Sequence, residues 1–187
     1  MDRFLNAFIF FATLYFTIRF FYKDHTWKLS NGKKAFRYFT VQSNILCAVA
    51  ALLMCFNSFQ PWAWVLKYIG TVAVTVTMLT VFLFLGPNMG YKELLKGRDF
   101  FMHLLTPLLA TVSFLCFEKR SLSFQMGLLG MIPVAVYGAV YLYKVLLVPA
   151  DKRWEDFYGF NKGGNWWLSL ILMLLGSFLL CMVFMNI

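Results

Sequence analysis

Long apolar runs separated by short polar segments dominate the chain. They fall at residues 4–22, 36–56, 62–85, 100–117, 124–148 and 166–185. A bilayer core about 30 Å thick needs about 20 apolar residues as helix. The run 100–117 is the shortest, and Arg98-Asp99 and Glu118-Lys119-Arg120 frame it sharply. Backbone polar groups find no partner in lipid, and the runs are too long and continuous for barrel strands. The pattern therefore predicts an all-α fold, a polytopic membrane bundle of about six transmembrane helices. No hydrophilic stretch is long enough for a soluble domain and no internal repeat stands out, so residues 1–187 read as a single transmembrane domain. The first run, Phe4 to Tyr22, has no small-residue cleavage site after it and reads as a retained helix rather than a signal peptide.

Composition agrees with that reading. The chain is 61% hydrophobic and only 13% charged, too few charges to cover a soluble domain, and its 22 phenylalanines suit lipid-facing surface. Cys47, Cys55, Cys116 and Cys181 all lie in apolar runs without a close pair, as small buried hydrophobes do. The net charge of +9 sits between apolar segments, which points to anionic lipid headgroups as partners and not to nucleic acid.

The placement of these charges carries orientation. Lys23, Lys28, Lys33, Lys34, Arg37, Lys92, Lys96, Arg98, Lys144, Lys152, Arg153 and Lys162 cluster at the first, third and fifth connections. The N-terminus and the second and fourth loops, on the opposite side, hold Arg3, Lys67, Lys119 and Arg120, and Arg19 sits inside the first helix near its basic end. The positive-inside rule then predicts cytoplasmic odd loops and both termini outside.

Polar residues inside the runs are few and patterned. Arg37, Thr40, Ser43, Asn44 and Cys47 share one stripe of the second helix. Ser43 and Cys47 taken singly suit helix–helix contact, whereas five such positions together suggest a site. In the fourth run His103 is followed by Thr106 and Pro107 on the same face. An ionisable group at membrane depth is a functional candidate by default, and Pro107 frees a carbonyl one turn back. The fifth run places Pro133, Tyr137, Tyr141 and Lys144 on one stripe, with Lys144 snorkelling toward headgroups. His25 reads as a solvated loop residue. Thr40 and His103 lie four and three residues into their helices, hence at similar shallow depth on the basic side.

A hydroxyl beside an imidazole is a minimal activated nucleophile. No acidic residue lies within the six runs, Asp99 at a helix edge being nearest to His103. No metal-ligand spacing, phosphate-binding glycine loop or G-x-S-x-G elbow occurs, so the expected chemistry uses no metal and no cofactor.

Arg37-Tyr38-Phe39-Thr40, Met102-His103 ahead of Pro107, and six helices in 187 residues resemble the androgen-induced six-pass membrane hydrolase family. Bacterial six-helix relatives share the pattern, with an aromatic motif before the last helix like Trp154-Glu155-Asp156-Phe157-Tyr158. The resemblance implies hydrolysis of fatty acid esters of hydroxy fatty acids, with Thr40 as nucleophile and His103 as base. Animal members carry a second histidine and polar neighbours where this chain has Phe100, Phe101 and Leu104.

The expectation is thus an intramembrane lipid-ester hydrolase taking its acyl ester from the bilayer. A cavity in the basic-side half, lined by Arg37, Thr40, Ser43, His103, Tyr137 and Tyr141, would hold the substrate. Ser43 or Asn44 would face the oxyanion, and Arg37, Lys144 or the loop lysines the released carboxylate. The opposite half, with Leu53, Leu115 and Leu174, is expected to be packed and apolar. Two rival readings stand beside this one: a proton-coupled transporter or binding protein with a titrating His103, and a structural membrane protein whose polar stripe joins helices.

Overall fold

Inside a bilayer a helix satisfies its own backbone, so each apolar run should continue until a cap or breaker stops it. The computed structural model, which describes residues 1–23 and 26–187, has six helices long and apolar enough to cross a membrane. They are α1 (Asp2–Phe21), α2 (Phe39–Asn57), α3 (Pro61–Met89), α4 (Arg98–Phe117), α5 (Phe124–Leu147) and α6 (Trp166–Asn186). The chain is a multi-pass integral membrane protein built as an all-α bundle. His25, read from the sequence as a solvated loop residue, lies outside the described residues.

Helix ends follow local chemistry. Pro61 occupies the first turn of α3, where its missing N–H costs nothing. The Ser123 hydroxyl accepts the Met126 N–H at 3.3 Å and caps α5. The second apolar run was expected to become helical at 36, but α2 begins at Phe39. A short helix, Leu29–Ala35, occupies the preceding segment, and Tyr38 is extended (φ -87°, ψ 134°) where the chain turns into α2. Residues Tyr22–Lys23 and Thr26–Trp27 form a minimal antiparallel pair at the end of α1.

Among the described residues, three π-helical turns interrupt the bundle, at Val81–Leu85, Phe101–Leu105 and Tyr143–Leu147. Each is followed two residues later by a proline: Pro87, Pro107 and Pro149. A proline offers no N–H and its ring crowds the carbonyl one turn back, so the preceding turn widens. All three lie near the ends of α3, α4 and α5 that face the basic loops.

The hub is α3, with 56% of its most apolar stretch buried, against 22% for α1 and 17% for α6. It lies close against α2 at Gly70, where an added Cβ would come within 2.9 Å of the Cys47 Cα. Without a hydrophobic force between helices in lipid, such small-residue approach is how dispersion contacts accumulate. The four cysteines are free.

The end of the bundle away from the basic loops differs from expectation. It was predicted to be apolar, and Lys67 was assigned to a loop. Instead Lys67 lies inside α3 with no exposed surface, and its Nζ stands 3.8 Å from the Glu118 carboxylate at the end of α4. Asn6 of α1 joins them, accepting from Lys67 Nζ at 2.6 Å and donating from Nδ2 to Glu118 Oε1. Ser113 donates to the same carboxylate oxygen at 3.2 Å, and Trp64 Nε1 donates to the Glu118 carbonyl at 2.7 Å. The physical reason for the discrepancy is depth: a charge six residues into a helix reaches a partner on its neighbours sooner than it reaches water.

Candidate active site

His103 sits in the π-helical turn created ahead of Pro107, which sets the direction of its ring. Its Nδ1 lies 2.7 Å from the Leu94 carbonyl oxygen. A carbonyl can only accept, so Nδ1 carries the hydrogen and Nε2 of the neutral ring keeps its lone pair. The carbonyl is delivered by the short helix Tyr91–Leu94 in the connection between α3 and α4. Gly90 (φ 85°) and Gly97 (φ 57°) bracket it in backbone conformations that glycine adopts without strain, letting the segment fold back over α4.

Thr40, the second residue of α2, meets the other face of that ring: its Oγ1 is 3.4 Å from His103 Nε2. Hydrogen bonds of catalytic pairs are often long before substrate binds. Two neighbours fix the Thr40 main chain. The Asn44 amide donates to the Thr40 carbonyl at 2.8 Å and to the Met102 carbonyl at 3.0 Å, tying α2 to α4 one residue from His103. Ser43 Oγ reaches the same Thr40 carbonyl at 3.1 Å and Thr77 Oγ1 of α3 at 2.8 Å. Asn44 and Ser43, expected to face the substrate, are turned to other partners: both amide hydrogens of Asn44 are spent on carbonyls, and Ser43 is buried among helices.

Thr40 also opens onto a cavity between α2, α3, α5, α6 and the connection preceding α6. The cavity is narrow, about 40 Å³ in volume. Its walls are largely apolar, including Val134, Leu142, Leu170 and Met173, and Thr40, Thr77, Thr80, Tyr137 and Tyr158 are the hydroxyl-bearing residues along it. Of the residues expected on this wall, Thr40 and Tyr137 are there, while Arg37, Ser43, His103 and Tyr141 are not. His103 is half-buried off that wall, and the hydroxyl of Thr40 bridges the two.

The reasons for the displaced residues are specific. Arg37 is exposed, its guanidinium 5.7 Å over the Trp154 ring, and only its carbonyl turns inward to accept from Tyr137 at 2.7 Å. Lys144 sits in the π-helical turn ahead of Pro149, its ammonium 5.7 Å from the Tyr143 ring centroid and away from the cavity. Tyr141 donates instead to Asp156 at 2.7 Å. Asp99 pairs with Arg98 at 3.7 Å and leaves His103 to the Leu94 carbonyl.

The connection between α5 and α6 is organised by Asp156. Besides Tyr141 it accepts the N–H groups of Phe160 at 2.9 Å and Asn161 at 2.8 Å, while the Tyr141 hydroxyl accepts the Tyr158 N–H at 3.2 Å. This bracket delivers Tyr158 to the cavity, where its hydroxyl accepts the Phe39 N–H at 2.9 Å at the first turn of α2. Burial pushes the Tyr158 phenol up to about 12, with the amides of Phe39 and Thr40 and the hydroxyls of Tyr137 and Thr40 pulling against it. Sequence reasoning missed Tyr158, Asp156 and the Leu94 carbonyl. The only signal for the first two was the aromatic segment Trp154-Glu155-Asp156-Phe157-Tyr158 before the last helix, and a main-chain carbonyl leaves none.

Comparisons with protein-family models, with curated proteins and with solved structures find no match for the chain.

Proposed function

We propose that this protein is an intramembrane hydrolase of long-chain lipid esters, with Thr40 as nucleophile and His103 as general base. One observation carries the reading: Thr40 Oγ1 lies between a histidine whose tautomer is set by a main-chain carbonyl and a largely apolar cavity. Fatty acid esters of hydroxy fatty acids fit the resemblance that Arg37-Tyr38-Phe39-Thr40 and Met102-His103 suggest, and they suit an apolar wall.

The proposed steps are these. As Thr40 Oγ bonds to the ester carbonyl carbon, its proton passes to His103 Nε2 and the carbonyl π pair moves onto oxygen. Collapse breaks the bond to the alkoxy oxygen, which leaves as alcohol with the proton from Nε2. Water then attacks the acyl-threonine with His103 again as base, releasing the fatty acid and restoring Thr40. The Leu94 carbonyl does the orienting work that a buried carboxylate does in other triads, holding Nδ1–H and favouring the imidazolium. The least buried helix, α6, forms one wall of the cavity, which suits entry of substrate from the bilayer.

Purified wild-type protein in detergent, offered a panel of long-chain fatty acyl esters, should release free fatty acid catalytically. Folded protein that turns over none of the panel contradicts the proposal. With Lys67 removed from the loop charges, the basic asymmetry grows, which supports an orientation with both termini outside the cytoplasm. A C-terminal reporter active only in the cytoplasm should stay silent, and a strong signal would reverse this orientation.

A further inference from the structure

The hydrolytic reading leaves one requirement unmet by Thr40 and His103. When the carbonyl becomes tetrahedral its oxygen gains a full charge, and a donor must stand ready in the cavity. Asn44 and Ser43 are spent on main-chain carbonyls, as described above. Tyr158 is placed differently. Its hydroxyl oxygen accepts the Phe39 N–H at 2.9 Å, so it sits at the positive end of α2, one residue from the nucleophile. Its ring lines the same cavity as Thr40. An oxygen that takes a main-chain N–H keeps its own O–H to give, and the hydroxyls beside it are those of Tyr137 and Thr40, on residues that line the same cavity.

We propose, resting on the hydrolase reading, that Tyr158 is a catalytic residue of this site, donating its phenolic hydrogen bond to the carbonyl oxygen of the ester as that oxygen becomes the oxyanion. The electron pair released from the C=O bond rests on an oxygen held by Tyr158 O–H while Thr40 Oγ–C forms. When the alkoxy group leaves, the pair returns to re-form C=O. Tyr158 keeps its proton throughout, which agrees with a phenol that burial holds far from ionisation at neutral pH. The Asp156 bracket then has a purpose beyond loop structure. Through Tyr141 and the N–H groups of Phe160 and Asn161 it fixes the segment that presents Tyr158, as preorganised stabilisation requires. Asp156 is in this sense a positioning residue.

The test uses full-length protein, a long-chain ester, and its thionoester, in which sulfur replaces the carbonyl oxygen and accepts hydrogen bonds poorly. Tyr158→Phe should lower kcat on the ester by about 10²–10³-fold, the usual effect of removing one such donor. The preference of the wild type for ester over thionoester should largely vanish in the variant. A merely structural loosening of α2 lowers turnover of both substrates alike, so an unchanged preference overturns the proposal, as does wild-type kcat in Tyr158→Phe. If Tyr158→Phe does not fold, site-specific 3,5-difluorotyrosine at 158 keeps the shape and makes the phenol more acidic. A donor must be protonated, so activity should then fall with rising pH along a limb displaced below that of the wild type, and an unmoved profile overturns the proposal. Wild type active and Thr40-dependent with a silent Tyr158 defeats this inference alone. A wild type that hydrolyses nothing defeats the hydrolase reading and this inference with it.

Discussion

Thr40→Ala, His103→Ala and the double variant are expected to fall to the same low level of ester hydrolysis, each about 10²–10⁴-fold below wild type. An unassisted threonine hydroxyl is a poor nucleophile at neutral pH. The histidine proposed to assist it has one ring nitrogen committed to the Leu94 carbonyl and the other facing Thr40 Oγ1 at 3.4 Å. Neither residue has a second role in the reaction, so the second deletion has little left to remove, and residues acting as a unit are strongly non-additive. The measurement is initial rate on the ester panel for wild type and the three variants, at matched folded concentration. The competing readings differ in outcome. If the polar stripe only joins helices, Thr40→Ala should cost about 0.6 kcal/mol of stability and spare any activity. If His103 serves a proton-coupled path, His103→Ala should abolish transport while Thr40→Ala barely matters. Multiplicative partial losses, or a Thr40→Ala protein that still turns over, contradict the pair.

The second large effect lies at the other end of the bundle. Lys67→Met should destabilise the protein by about 3–5 kcal/mol, because it leaves the Glu118 carboxylate buried without its countercharge. Lys67 and Glu118 side chains are 0% and 1% exposed, so water cannot take over from the missing partner. The combined variant Asn6→Leu, Lys67→Met, Glu118→Leu should recover most of the loss, since replacing a whole buried polar cluster by apolar groups of similar volume is often close to neutral. Thermal unfolding in detergent, followed by circular dichroism, reads both. A Lys67→Met protein as stable as wild type would contradict this account of the pair, and a combined variant no better than the single one would mean that the cluster shapes the helix ends as well as balancing charge.

The sequence already carried the bundle and half of the site. Apolar run length placed the six helices to within a few residues in most cases, because lipid leaves the backbone no alternative to helix. The stripe on α2 and the lone His103 before Pro107 pointed to the two residues that the structure brings together. What stayed hidden depends on rotation and on main-chain atoms. Arg37 and Lys144 lie at the right depth, but each faces away from the cavity, toward Trp154 and the Tyr143 ring side. Depth can be counted from residue number, whereas facing depends on the turn into α2 and on the π-helical turn at Tyr143–Leu147. The Leu94 carbonyl carries no side-chain mark. Lys67 was misplaced because basic residues were grouped by loop, although its position six residues beyond Pro61 already puts it inside a helix.

The claim at the centre of this account is that Thr40 Oγ is the atom that becomes acylated. A long-chain alkyl fluorophosphonate reacts with activated hydroxyl nucleophiles, and the apolar cavity beside Thr40 suits its chain. Incubation with the purified protein, followed by proteolysis and peptide mass mapping, should yield one adduct per chain, on Thr40, absent from both Thr40→Ala and His103→Ala. An adduct on Ser43 or another hydroxyl, or steady ester hydrolysis by a protein whose Thr40 remains unmodified under saturating probe, would contradict it.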